Sequence, residues 1–271
     1  SRGKKGGGVL GAIPLLGSLG IAIGYAVIVG WVVRYCWGAV SGSLFAVGSE
    51  EYFGQITGPF GSLLWHGVVV LVTVLVLARG VLQGIEKVNR IIMPAFFVLF
   101  LVVAVYVGFL PGAAEGYRYL LIPQWEKLLD PMTWVMAMGQ AFFSLSITGS
   151  GMIIYGSYLS KKEDIPRAAM QTALLDTCAA LLAGFAILPA VFAFGMDPAS
   201  GPPLIFITLP KVFAQMPGGR FIAVLFFLSV IFAGITSLIN MFEVCAEAVT
   251  THLKLPRKAA VVLVGALAFA A

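Results

Sequence analysis

The chain has 271 residues, of which 60% are hydrophobic and only 11% charged, and its mean hydropathy is +0.99. Soluble domains carry about a quarter charged residues, so a water-soluble globule is excluded and a polytopic membrane protein is expected. The net charge of +5 does not point to nucleic acid, because the basic residues come in small clusters one apolar span apart, as membrane topology requires.

Ser1 to Gly8 is a basic, Gly-rich loop carrying Arg2, Lys4 and Lys5, and it leads into a long apolar span from Val9 to Val40. A polar loop with Glu50 and Glu51 follows, then a short span from Ser62 to Leu77. Arg79 to Arg90 reads as an amphipathic connector running straight into a third span, Ile91 to Leu110, with Pro94 near its start. The loop Pro111 to Met132 holds Tyr117, Tyr119 and Trp125, the aromatic type favoured at membrane interfaces.

The fourth span, Trp134 to Tyr158, is long enough to cross a bilayer but is written against a continuous helix. Ser144, Ser146, Thr148, Gly149, Ser150 and Gly151 crowd its middle. Glycine loses backbone entropy in a helix, and Ser and Thr compete for its backbone hydrogen bonds. Unwound backbone survives inside a membrane only where it lines a cavity or packs in protein, so a broken helix at a binding site is expected.

Beyond SKKEDIPR, Ser160 to Arg167, whose Pro166 suits a first helical turn, a fifth span runs from Ala168 to Phe194. The connection Gly195 to Arg220 is apolar in its centre, PPLIFITLPKVFAQM, and is expected to fold back as a short helix over the outer face. The sixth span is Phe221 to Val249. The last apolar run, Ala259 to Ala271, stops at thirteen residues where a span needs about twenty. No initiator Met or signal peptide precedes Ser1, so truncation at both ends is expected.

Alternating sides along this plan puts four basic segments on one face, with three Lys or Arg in each, twelve of the 17 in all. By the positive-inside rule that face, with residue 1, is cytoplasmic. Cys36, Cys178 and Cys245 lie in separate spans with no pair at metal-ligand spacing and read as packing residues. His66 and His252 are expected to be interfacial and solvated, and Glu243 to pair with an element outside the chain.

At GQAFFSLS followed by YGSYLSKKEDI, the chain resembles the neurotransmitter:sodium symporter family, whose bacterial members carry amino acids. GIEKVNRIIMPAFFVL (Gly84 to Leu99), ITLPKVFAQMPGG (Ile207 to Gly219) and FAGITSLI (Phe232 to Ile239) extend the match in the right order. The resemblance implies an all-α, polytopic membrane protein: an inverted-repeat, leucine-transporter-type helix bundle with a broken fourth span. On the family's plan residues 1–271 form one transmembrane domain that is incomplete. It has six full spans and part of a seventh, with the family's two N-terminal spans missing. The implied activity is sodium-coupled symport of a neutral, bulky hydrophobic or aromatic amino acid by alternating access, not an enzymatic reaction. A proton-coupled transporter using Asp176 and a binding-only membrane sensor remain as alternatives.

The same resemblance implies two sodium sites, each incomplete in this chain. One takes the Ala233 carbonyl with the Thr236 and Ser237 hydroxyls; by composition alone, small residues there would also serve close helix packing. The other takes Ser144 and Asp176, where Asp176 replaces the family's usual Asn. A lone carboxylate in mid-span must be paired, coordinated or protonated, and Thr172 is an alternative partner for it. Chloride-independent members carry an acid at the position of Ala180, one turn away, so the charge of Asp176 suggests that chloride is not needed. Tyr25 matches the residue that holds the substrate carboxylate, and Phe143, Ser144, Ser146, Gly149, Ser237 and Met241 match the rest of the pocket. Gly149 stands where the family often has an aromatic ring, which leaves room for a large side chain. Ser157 and Tyr158 match residues bracing the inner gate. The implied partners are an amino acid, sodium ions and the lipid bilayer of the cell inner (plasma) membrane, with no nucleic acid and with a homodimer left open.

Overall fold

The structure, a computed structural model, describes residues 7–79, 82–147, 152, 156, 159, 160 and 162–271, and the side chains among them apart from those of 7–14 and 82–92. The described residues form helices and their connections, with no strand.

Helix α1, Gly7–Ser41, is 35 residues long, about 52 Å at the usual rise and more than enough for a bilayer core of about 30 Å. Its C-terminal carbonyls are capped by a cation from a distant helix. The Arg220 guanidinium donates through Nε to the Ala39 carbonyl at 3.0 Å and through a second nitrogen to that of Val40. A positive charge here also meets the negative end of the helix dipole.

The expected polar loop after α1 is instead two short helices, α2 (Ser43–Val47) and α3 (Ser49–Thr57), parted by Gly48. Helix α3 is folded against α1 by Arg34. Its guanidinium donates to the Gln55 side chain at 3.1 Å and to the Gly61 carbonyl at 3.0 Å, and lies 5.1 Å from the centre of the Tyr52 ring. The Tyr52 hydroxyl donates back to the Arg34 carbonyl at 3.1 Å. The segment thereby gains a reason to be ordered that polarity alone does not reveal.

Helix α4, Leu63–Ala78, has 16 residues. The connector and third span expected separately are one helix, α5 (Leu82–Gly108), which contains Pro94. At Gly112, φ +88°, the chain turns sharply into α6, Ala113–Leu121; with the turn Trp125–Leu129 that follows, this segment is bent 118° from α5. The expected loop Pro111 to Met132 is thus largely helical. Its position on the later helix Ile165–Ala193 depends on Gly116, where a Cβ would lie 2.4 Å from the Pro189 Cα.

Helix α7, Pro131–Ser144, starts with Pro131 in its first turn and Asp130 as N-cap, accepting from the Met132 amide at 2.9 Å. Helix α8, Ile165–Ala193, starts the same way, with Asp164 accepting from the Arg167 amide and Pro166 in the first turn. These are the two signals that open helices most directly.

The fold-back expected between Gly195 and Arg220 is present as a π turn, Leu204–Thr208, and helix α9, Leu209–Gln215, with Leu209, Val212 and Phe213 wholly buried. Lys211 of α9 pairs with Glu50 of α3 at 2.6 Å. The hydrogen bond from this ammonium, and then its charge, hold the Glu50 carboxyl below its usual range. Helices α10 (Gly219–Leu253) and α11 (Arg257–Ala270) complete the order.

Among the described residues three helices are long and apolar enough to cross a membrane, Leu15–Ser41, Ile165–Ala193 and Gly219–Leu253, or four if the bent pair is one span. Helix α10 packs along α1, α4 joins α1 and α11, and α5 and α6 flank α8. One apolar core gathers Tyr35, Phe206, Phe213, Phe226 and Phe227; a second gathers Ala22, Ala26, Val69, Leu238, Phe242 and Val264 around the first half of α1.

Two expectations are corrected here. His66 is buried, 6% exposed, with its ring 5.6 Å from that of Phe269 and no partner for Nε2, because the first turn of α4 faces α1 and α11 and not water. Glu243 finds its partner within the chain: both nitrogens of the Arg257 fork donate to its carboxylate at 2.8 Å. His252 is exposed as expected, and the cysteines form no disulfide.

Candidate functional site

The break in the fourth span starts as a defined helix ending. The Ile147 amide donates to the Phe142 carbonyl at 3.0 Å and the Ser146 amide to that of Phe143 at 3.1 Å, while Ser146 takes a left-handed φ of 55°. This is the six-to-one and five-to-two bonding of a Schellman ending, with Ser where Gly is usual. A non-glycine residue pays about 1–2 kcal/mol for that conformation, so the ending is held in place by its surroundings. It directs the negative end of the α7 dipole toward the site, which favours a cation or an ammonium group there. Thr148 to Gly151, and therefore Gly149, lie outside the described residues, as do Ser157 and Tyr158.

The last residue of α7 meets α8. The Ser144 hydroxyl donates to Asp176 Oδ2, whereas Thr172 donates its hydroxyl to the Ala168 carbonyl at 2.9 Å. The partner of the mid-span carboxylate is therefore Ser144 and not Thr172. Among the described residues no three His, Cys, Asp or Glu side chains gather. A metal held here would be bound by one carboxylate together with hydroxyl and carbonyl oxygens, hard donors that suit an alkali cation better than zinc or copper.

Helices α1 and α10 form the other wall. Ser18, Ile21 and Tyr25 recur at three and four residues on α1, and Ser237, Asn240, Met241 and Val244 do so on α10, so each set shares a face. With Phe143, Ser144, Leu145, Ser146, Met152, Thr172 and Asp176 they enclose a cavity of about 420 Å³. Most of its wall is apolar, with polar groups both where α7 ends and on α1 and α10, an arrangement that suits a small amphipathic solute.

On α10 the Thr236 and Ser237 hydroxyls both donate to the Ala233 carbonyl, at 2.8 and 3.2 Å. Three oxygens therefore meet within one turn, but only Ser237 of this group lines the cavity. Gly234 lets α1 come close at this level, since a Cβ there would stand 2.7 Å from Val29 Cγ2.

The structure thus brings Tyr25, Phe143, Ser144, Ser146, Asp176, Ser237 and Met241 to one cavity and sets Ala233 and Thr236 beside it. The sequence reading missed Ser18, Ile21 and Asn240. Stepping back from Tyr25 at helical spacing would have found the first two. Asn240 carries its own signal as the one carboxamide of α10.

An uncharacterized sodium-dependent transporter of Bacillus subtilis, YhdH, is 42% identical over 224 residues, 81% of this chain and 49% of that protein. A similar sodium-dependent transporter of Haemophilus influenzae is 34% identical over 94% of this chain and 57% of its own. The chain thus spans about half the length of these curated relatives. The crystal structure of MhsT in complex with L-phenylalanine superposes with a TM-score of 0.91 at 36% identity, covering 97% of this chain and 60% of that one. The fold is that of this transporter, and the apolar helices are those of an integral membrane protein. Residues 54–271 match the sodium:neurotransmitter symporter family, a family of transporters and not of enzymes, and with these relatives the match shows that the chain belongs to it.

Proposed function

We propose that the protein is a sodium-coupled symporter of a neutral amino acid with a bulky hydrophobic or aromatic side chain, working by alternating access. The observation that carries this reading is the cavity between α1, α7, α8 and α10, where Ser144 and Asp176 meet beside the end of α7 and Ile21, Met241 and Val244 line the opposite wall among polar side chains. One sodium ion takes the Asp176 carboxylate and Ser144 hydroxyl as ligands; a second takes the Ala233 carbonyl with Thr236 and Ser237. Ser144, Ser146 and Tyr25 hold the charged end of the amino acid, and Phe143, Ser237 and Met241 surround its side chain.

Coupling follows from charge. Asp176 at mid-membrane is costly unless neutralised, and a sodium ion beside it supplies the charge it lacks. Asp176 also provides the negative charge that a chloride ion would otherwise bring, so transport proceeds without chloride. The clustering of basic residues supports a plasma-membrane orientation with residue 1 in the cytoplasm, and Ser157 and Tyr158 are assigned to the inner gate. MhsT, a neighbour in fold, is seen with L-phenylalanine, which supports a ligand of that size here.

Uptake of labelled L-phenylalanine by vesicles containing the full-length protein tests the proposal. Uptake is expected with an inward sodium gradient and not with potassium, and unchanged when gluconate replaces chloride. Equal uptake in potassium refutes sodium coupling. If Asp176→Asn keeps full sodium dependence but loses sensitivity to a proton gradient, Asp176 is a proton site instead.

A further inference from the structure

The cavity has a polar position that the sodium and carboxylate chemistry leaves unused. Asn240 sits near the middle of α10, three residues past Ser237, and lines the cavity with Ile21 and Met241. Among the described residues its carboxamide has no hydrogen-bond partner. A half-buried amide with no partner in the protein is retained where something else completes its bonding.

Its place in the cavity says what that partner would be. Helices α1 and α10 run antiparallel, with Val29 against Gly234 and Leu15 beside Cys245. Asn240 therefore lies level with Ile21 and Ala22, and Ser18 lies one turn deeper, away from Tyr25. Tyr25 and Ser18 are about 10 Å apart along α1. An amino acid held by its charged end near Tyr25 and Ser144 directs its side chain down this wall. It meets Ile21 and the Asn240 amide at one level, about one turn from Tyr25, and beyond them Met241 and the buried Ser18 hydroxyl. Apolar flanks with an amide beside them, about one turn from the charged end, suit a flat ring carrying one polar group on its rim.

We propose that Asn240 is a specificity-determining residue, hydrogen-bonding the ring substituent of tyrosine or the indole N–H of tryptophan, with Ser18 one turn deeper along the same wall. The assignment rests on the reading of the cavity as an amino acid site. A carboxamide both donates and accepts, so it serves a phenol and an indole alike. Phenylalanine and leucine fit the same space but leave the amide unpaired. Sites built around a polar group reject ligands that lack the matching one more strongly than apolar pockets sort by size.

The test is equilibrium binding to the purified full-length protein in sodium, with tyrosine compared with 4-methylphenylalanine, of nearly the same shape, and tryptophan with its benzothiophene analogue. Each natural ligand is expected to bind about fivefold to tenfold tighter than its apolar twin, and the ratio to fall to about one in Asn240→Leu. Asn240→Gln, which keeps the amide, is expected to retain part of the preference. The twin comparison needs only the unaltered protein, so it decides the matter even if the variants do not fold. Equal affinities within each pair overturn the role of Asn240 while leaving an amino acid site intact. Absence of sodium-dependent binding for every ligand, phenylalanine included, overturns the parent reading and this one with it.

Discussion

Gly234 is where α10 makes a close approach to α1, and it lies between the Ala233 carbonyl and the Thr236 and Ser237 hydroxyls. A Cβ at this position would stand 2.7 Å from Val29 Cγ2 and 3.4 Å from Cγ1, whereas carbons in contact rest about 3.5–4.0 Å apart. Valine in a helix holds essentially one rotamer, so the strain falls on the spacing of the two helices. Overpacking of this kind costs about 1–3 kcal/mol, and alanine regains about 1 kcal/mol in helix propensity. Gly234→Ala should therefore destabilise by roughly 0–2 kcal/mol, lowering the melting temperature in detergent by a few degrees at most. The effect on binding should be larger than the effect on folding. Tyr25 is one turn from Val29, and a shift of α1 by a few tenths of an ångström carries its hydroxyl off a hydrogen bond, a loss of about tenfold in amino acid affinity. Val29→Ala removes both crowding methyls, so the double variant should recover affinity, with a coupling energy of about 1 kcal/mol between the sites. Sodium-dependent ligand binding and thermal unfolding measured on all four proteins complete the cycle. Wild-type affinity in Gly234→Ala, or a double variant no better than the single, would refute the reasoning.

Three further outcomes are expected. Arg257→Ala leaves the Glu243 carboxylate, 14% exposed in its side chain, without its two-pronged partner, and should cost about 1–2 kcal/mol after allowance for the exposure of the arginine. Swapping the two residues should restore part of that loss in thermal unfolding, and a neutral Arg257→Ala would show that the pair contributes nothing. His66→Phe removes a buried ring nitrogen that has no partner and should leave stability equal or up to about 1 kcal/mol higher; a loss above about 2 kcal/mol would reveal an essential bond to the imidazole. The Glu50 carboxyl is held low in the folded state by Lys211, so its contribution is present above the carboxyl's unfolded value, near pH 4, and is lost as pH falls through the lower folded value. Protection of the α3 amides, taken relative to their intrinsic exchange rate at each pH, should fall over that acid range in the wild type, and Lys211→Met should show reduced protection already at neutral pH.

Much of the helical plan was legible because the signals are local. Asp130 with Pro131 and Asp164 with Pro166 start helices wherever they occur. The run of small and hydroxyl residues after Phe143 marks a helix that must end. The resemblance placed Ser144 and Asp176 in one site although they are distant in sequence, and the hydroxyl-to-carboxylate bond joins the two. Less legible were segments whose polarity suggested loops. Helix α3 is held by Arg34 and Lys211, and α6 by the close seat of Gly116 on Pro189, contacts between residues far apart in the chain.

The sequence by itself determined that the chain is a helical membrane protein, that its fourth span is interrupted, and that hydroxyls and one carboxylate stand at membrane depth. Composition, capping and helical period are properties of neighbours along the chain, and neighbours suffice to read them. Only the tertiary structure decided that Ser144 and not Thr172 is the partner of Asp176, that His66 is buried, that Glu243 is paired with Arg257, and that Asn240 faces a cavity without a partner among the described residues. Each of these depends on the angle and level at which two helices pack, which side-chain volume and close glycine contacts set together across the whole bundle.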